Sequence, residues 1–266
     1  MFRLTREIRF AVNAMPDDQL ARPAVNAYAA HPAHTGLAHF FTLSATLSGD
    51  LDPASSYLIN IKDIDRELRG RAVVAIEDVV RHRPREFGPA AVVELFARLK
   101  DAWPPHRLEV LKLGLSPFLS LSAHASEPSM TRLSQKFEFS AAHRLHNPAL
   151  SDDANRQTYG KCNNPMGHGH NYEVQVTVAG VPDERTGVPV DIPAFERVVS
   201  EHAIERLDHK HLNAQVDEFA TVIPSVENIA KVIYTWLKPH LTKGETRLAS
   251  VTVWETPKTW CEYSEG

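Results

Sequence analysis

The chain is poor in the features that mark specialised protein classes. It has only two cysteines, Cys162 and Cys261. Two thiols build no disulfide framework, so a reducing compartment is expected. No run approaches the ~20 apolar residues that a membrane-spanning helix needs. The opening stretch, MFRLTREIRFAVN, spreads charge where a signal peptide would carry an apolar core. These absences predict a cytoplasmic protein with no membrane partner. A strong charge balance is missing too. The 29 Lys and Arg against 33 Asp and Glu leave a net charge of −4, which gives no reason to expect nucleic acid. No Gly-rich nucleotide loop is evident, and no nicotinamide cofactor is implied. What remains is a composition that builds cores: 43% hydrophobic and 23% charged residues. At roughly 100–200 residues per domain, 266 residues suggest two domains.

An internal repeat supports that division. LTREIRFAVNA, from Leu4, lies over LSQKFEFSAAH, from Leu133, with Phe10 on Phe139. The segment from His39 lies over that from His170 without a gap, placing Gly49 on Gly180, Asp52 on Asp183 and Ile61 on Ile192. His106–Pro117 lies over Thr246–Pro257. Each half reads as strand, strand, helix, helix, strand, with a further strand to follow. Ile192, Phe195, Val199, Ala203 and Leu207 can line one helical face. Ser225 is a plausible N-cap for a second helix carrying Ile229, Val232, Ile233, Trp236 and Leu237. Ala90–Leu99 is its first-half counterpart, and Leu115–Met130 reads as the linker. The domains are therefore expected at 1–126 and 127–266.

The two copies differ in their polar positions. His143 falls over Ala14, His168 over Leu37, Glu227 over roughly Val92 and Glu255 over Leu115. Only His170 meets a histidine, His39, and with His31 and His34 that residue reads as solvated or vestigial. A duplication in which the first copy kept its fold and lost its chemistry explains this pattern.

Strand alternation then assembles a site in the second half. Phe137, Phe139, Ala141 and His143 share one face. His168, His170, Tyr172, Val174, Val176 and Val178 share another. Three imidazoles thus end two apolar faces, and three neutral imidazoles with an open fourth position suit zinc. Gly169 between the paired histidines would let backbone or ligand approach. Val251, Val253 and Glu255 share a face that ends in a carboxylate, which needs a partner when buried. A ligand edge with two adjacent N–H donors, such as that of a pterin or guanine, would supply one. Cys162, beside Lys161 and near a metal, would be a base or nucleophile; a zinc-ligand role and an inert role stay open. Asp208 and His209 form a candidate proton-relay pair, although Asp208 alone also suits a cap. Glu227 is a candidate ligand residue in a first helical turn, where a carboxylate also favours the dipole. Cys261 reads as a structural thiol.

FSAAHRLHNP, YGKCNNPMGHGHNY, RLDHKHLN, SVENIA and VTVWET occur in an order and spacing that resemble the 6-pyruvoyl tetrahydropterin synthase family. The resemblance covers about Leu133 to Tyr263. It implies an α+β chain of two tandem tunnelling-fold (T-fold) domains, each a four-stranded antiparallel sheet with two helices on one face. It implies a homo-oligomer, a trimer or hexamer of tandem chains with sites between subunits. His143, His168 and His170 match the family's zinc ligands, Cys162 its catalytic thiol, and Asp208 with His209 its relay. Glu255 matches the carboxylate that anchors the pterin, with Glu227 and Ser225 as further substrate-binding candidates. Ser225 and Val226 stand where animal members have two threonines.

The implied reaction is zinc-dependent conversion of 7,8-dihydroneopterin triphosphate to 6-pyruvoyl tetrahydropterin, with triphosphate eliminated. The alternative is 6-carboxytetrahydropterin synthase of the queuosine pathway, which releases acetaldehyde. Five residues, NNPMG, between Cys162 and His168 favour the pyruvoyl type. A non-catalytic pterin-binding or assembly protein is the reading from outside the enzymes.

Overall fold

A computed structural model of the chain describes residues 1–14, 26–85, 87–88 and 91–265. The chain divides into two compact units, Met1–Leu133 with Gly180–Pro189, and Ser134–Ala179 with Val190–Gly266.

In the first unit β1 (Phe2–Asn13) pairs antiparallel with β2 (Ala38–Gly49), from Phe2↔Gly49 to Asn13↔Ala38. Helix α1 (Ile61–Glu67), a π-helical turn at Leu68–Val73, α2 (Val74–His82) and α3 (Val92–Leu99) follow. Ala90, the expected start of α3, lies outside the described residues. Then β3 (Arg107–Gly114) pairs with β2, and β4 (Leu119–His124) pairs with β3. Period-two alternation turns Ile8, Phe10, Leu43, Ala45 and Leu47 inward, all fully buried with Ile64, Leu68, Leu95 and Leu99 of the helices. Arg6 clamps Asp65 through two 2.7 Å hydrogen bonds, tying β1 to α1.

The second unit repeats this order. Strand β5 (Glu127–His143) precedes α4 (Asp152–Tyr159) and β6 (His168–Gly180). Helix α5 (Ile192–Val199), a π-helical turn at Ser200–Ile204, and α6 (Glu205–Leu207) form one continuous helical rod. Short β7 (Lys210–His211) pairs parallel with β5, and α7 (Leu212–Gln215) follows. Helix α8 (Val226–Leu241) starts at the Ser225 cap, and β8 (Arg247–Thr256) with β9 (Thr259–Tyr263) completes the unit.

Matched details recur 131 positions apart. Ile64, Leu68, Ala72 and Ile76 are buried, as are Phe195, Val199, Ala203 and Leu207. A row of four-residue steps drifts about 40° per step around an α-helix. A π turn holds an extra residue and brings the row back toward the core. The expected plain 3.6-residue helix at 192–207 is corrected by this turn. Ladder bulges fall at Thr46/Leu47 and at Thr177/Val178. Asp52 accepts from the Ala54 and Ser55 amides, as Asp183 does from those of Arg185 and Thr186.

Two expectations change. Leu115–Met130 is not a linker, because it holds β4 and the start of β5. Only Ala125 and Ser126 separate those strands, and a two-residue turn keeps a hairpin hydrogen-bonded. The sheet therefore does not break between the halves. Its strands follow one path, β1-β2-β3-β4-β5-β6-β8-β9, with β7 beside β5, giving nine strands instead of two separate four-stranded sheets. The first unit includes Gly180–Pro189. Within that unit a Cβ on Gly187 (φ +69°) would overlap the Phe87 ring, so glycine is required there.

His124 on β4 supplies a test of this half. Burial, then the Arg132 charge, push its pKa down to about 4, and Glu127 opposes them. Its Nε2 lies 3.0 Å from Ser122 Oγ. The unfolded chain takes up this proton near pH 6.5, before the folded chain does. Stability must therefore fall as pH drops from about 6.5 toward about 4. His124→Gln should flatten that part of the urea-midpoint profile; an unchanged slope contradicts the assignment.

Candidate metal and pterin site

The site is built where β5 and β6 run out of apolar residues. Phe139, Ala141 and His143 are buried on β5, and Tyr172, Val174 and Val176 on β6. The Phe139 and Tyr172 rings stack at 4.7 Å and form the floor below the histidines. His143 is fully buried, and one ligand atom from each of His143, His168 and His170 lies within 4.8 Å of the others. Among the described residues this is the one three-residue group able to hold a metal ion. The structure brings these three side chains together.

Hydrogen bonding tests whether the cluster suits a cation. His143 Nδ1 lies 2.7 Å from the Pro224 carbonyl and 3.3 Å from the Tyr172 hydroxyl. A carbonyl only accepts, so Nδ1 carries a proton and Nε2 points inward. That Nε2 lies 3.2 Å from His168 Nε2 and 3.3 Å from Glu255 Oε1. His170 Nε2 lies 3.6 Å from the same oxygen, and it and His168 Nδ1 are buried without a hydrogen-bond partner. Lone pairs converging on a carboxylate repel unless a proton or a cation lies between them. Two ligands at ~2.05 Å in tetrahedral geometry lie about 3.3 Å apart, close to the 3.2 Å between His143 and His168, and the whole group lies within 4.8 Å. The residues therefore fit a metal ion.

Electrostatics agree. Burial, then the neighbouring imidazoles, lower the His168 pKa, and burial lowers that of His170. Both stay neutral, as ligands must. The hydrogen bond with His143 holds the Glu255 carboxyl below its usual range against desolvation. Glu255 lies against the imidazoles of His143 and His170 in this structure. Burial pushes the Tyr172 phenol far up, so it remains a neutral donor.

The required glycine is Gly167, not Gly169. Gly167 has φ +73°, and a Cβ there would meet His211 Nε2 at 2.9 Å and the His143 carbonyl at 3.0 Å. At Gly169 a Cβ meets only the Ala141 carbonyl, at an ordinary 3.5 Å.

Two clefts reach the cluster. One, of ≈ 800 Å³, contains Cys162 and His168. The other, of ≈ 520 Å³, is lined by Ser140, Gly169, His170, Asn171, His209 and His211. Asp208 and His209 do form a pair, with Nδ1 2.7 Å from Oδ2. The Ser140 amide donates to Asp208 Oδ1 at 2.9 Å, and this bond, then His209, lowers the Asp208 pKa. His209 has φ +56°, a costly conformation off glycine. It turns an imidazole that is 84% exposed into the open. Within one chain, then, Cys162 and His209 line different clefts.

Ser225 and Glu227 line neither cleft. Ser225 Oγ accepts from the Asn228 amide as the α8 cap, and Glu227 is exposed in the first turn. The preceding residue acts instead, through the Pro224 carbonyl on His143. Backbone partners such as Pro224 and Ser140 left no signal in the sequence, whereas Tyr172 was legible from its place on the histidine face.

The family model for 6-pyruvoyl tetrahydropterin synthase matches residues 132–266. A Drosophila melanogaster 6-pyruvoyl tetrahydrobiopterin synthase is 41% identical over 138 residues, covering 52% of this chain and 82% of that relative. The Homo sapiens protein of the same name is 42% identical over 125 residues, covering 47% and 85%. A solved Caenorhabditis elegans 6-pyruvoyl tetrahydropterin synthase is 36% identical with a TM-score of 0.49, covering 52% of this chain and 96% of that one. No described helix is long and apolar enough to cross a membrane. A three-histidine cluster at the ends of β5 and β6, inside a segment matched from end to end by one family, leads to a single assignment: the chain belongs to the 6-pyruvoyl tetrahydropterin synthase family.

Proposed function

We propose that the chain is a lyase of the 6-pyruvoyl tetrahydropterin synthase type, converting 7,8-dihydroneopterin triphosphate to 6-pyruvoyl tetrahydropterin and triphosphate. The convergence of three imidazoles with Glu255, in a family whose named relatives carry this activity, is the observation that supports it most. His143, His168 and His170 would hold zinc. Zinc bound there acts as a Lewis acid toward substrate oxygens and acidifies the adjoining C–H bonds.

The chain's own residues do the rest. Glu255 accepts the two N–H groups of the pterin edge, a bidentate contact that fixes ring orientation. Cys162, as thiolate, removes a proton from the side chain, and His209 returns one at the other face. Asp208 holds the His209 ring by the 2.7 Å contact. The separate clefts for thiol and relay, and the exposure of His209, favour a site completed by a neighbouring chain. A trimer or hexamer of tandem chains in the cytoplasm fits that arrangement. The first unit is read as the emptied copy, since Ala14 and exposed Leu37 stand at two of the three ligand positions.

Product analysis tests the reading. Zinc-loaded protein given 7,8-dihydroneopterin triphosphate should release triphosphate and a pyruvoyl pterin. Acetaldehyde would make it a 6-carboxytetrahydropterin synthase, and no turnover would reduce it to a binding protein.

A further inference from the structure

We propose that the cleft beside Cys162 is a polyanion subsite, in which Arg144 and Lys161 hold the triphosphate arm of the substrate. This rests on the substrate class proposed above and adds the residues that grip its anionic end.

Three cations line the cleft, Arg144, Arg156 and Lys161, against one carboxylate, Asp152. Arg156 is already engaged by Asp153. Arg144 and Lys161 have no carboxylate partner among the described residues. Arg144 is nevertheless held in place. Its Nε donates to the Asn163 carbonyl at 3.2 Å and its Nη2 to Asn163 Oδ1 at 3.4 Å. Asn163 is itself buried and anchored by its Nδ2 on the Leu145 carbonyl at 2.7 Å. The Arg144 backbone is fixed by Asn213 through bonds of 2.8 and 3.0 Å. Neutral groups therefore orient the guanidinium while leaving its charge uncompensated. Arg6, Arg81 and Arg132, also part-buried, each rest on a carboxylate instead.

An oriented, unneutralised guanidinium is a phosphate binder, since its planar fork matches phosphate oxygens. Lys161 adds a mobile point charge one residue from Cys162. The same cleft ends at His168, so an anion gripped by Arg144 and Lys161 leaves the adjoining carbon chain at the metal cluster and the thiol. Charge fixed in advance at a departing polyphosphate also stabilises the developing negative charge there.

The test uses the metal-loaded protein and inorganic triphosphate, without pterin, in a calorimetric titration; metal content is checked afterwards. Wild type should bind, with affinity falling as salt rises. Arg144→Gln should weaken binding about tenfold or more, Lys161→Gln about three- to fivefold, and Arg144→Lys to an intermediate degree. If Arg144→Gln lowers the melting temperature, the exposed Lys161→Gln carries the test. No binding by wild type, or unchanged affinity in the glutamine variants, overturns the subsite. The two readings separate cleanly. Absent turnover with intact triphosphate binding sinks the reaction and keeps the subsite, whereas normal turnover and KM in both variants do the reverse.

Discussion

His143→Ala should lose its metal and its turnover together. His143 is fully buried, and its Nδ1 is fixed by the Pro224 carbonyl, so no other side chain can swing into its place. Losing even an outer-shell partner typically costs 10–100-fold in metal affinity, so removing a ligand should cost more than about 100-fold. Truncation also strips partners from the Pro224 carbonyl and the Tyr172 hydroxyl, at about 1–3 kcal/mol for each group left unsatisfied. Metal analysis after dialysis, with a urea titration of the same sample, reads both effects. A variant that keeps one equivalent of tightly held metal refutes the three-histidine site. His143→Gln controls for packing, because it refills much of the volume without restoring an imidazole.

Cys162→Ala should separate chemistry from binding. The thiol lines a cleft with His168 but lies outside the three-histidine group. Metal content should therefore be unchanged, and stability should stay within about 0.5 kcal/mol of wild type, as for a side chain outside the core. Turnover should fall by about 10²–10⁴-fold, the range for removing a positioned proton-transfer group. Loss of metal would make Cys162 a ligand instead. Undiminished turnover would make it inert.

Much of the site was legible because strand alternation is a local rule. Phe139, Ala141 and His143 had to share a face, as did His168, His170 and Tyr172, whichever strands lay beside them. Asp208 and His209, adjacent in sequence, could likewise be paired in advance. What escaped depends on distant chain or on backbone. The Pro224 carbonyl reaches His143 across 81 positions, and the Ser140 amide reaches Asp208 across 68. Peptide groups are the same in every residue, so no letter marks which of them will act. Gly169 looked the more important glycine because it separates the ligands. The demand falls on Gly167, since His211 and the His143 carbonyl crowd it from other elements. The reading of the β4 segment as linker has a related cause. Its Ser and Ala residues have weak intrinsic strand preference, and pairing with β3 supplies what local propensity lacks.

By itself, then, the sequence determined which residues end the apolar faces and which family motifs are carried. Periodicity and residue identity suffice for these, because they concern neighbours along the chain. Only the tertiary structure decided that the strands of the described residues follow one hydrogen-bonded order. It alone decided that π turns bring each four-residue row back to its core, and that the thiol and His209 open on different clefts. Those outcomes follow from hydrogen-bond ladders and packing between remote segments, whose free energy is not assigned until the segments meet.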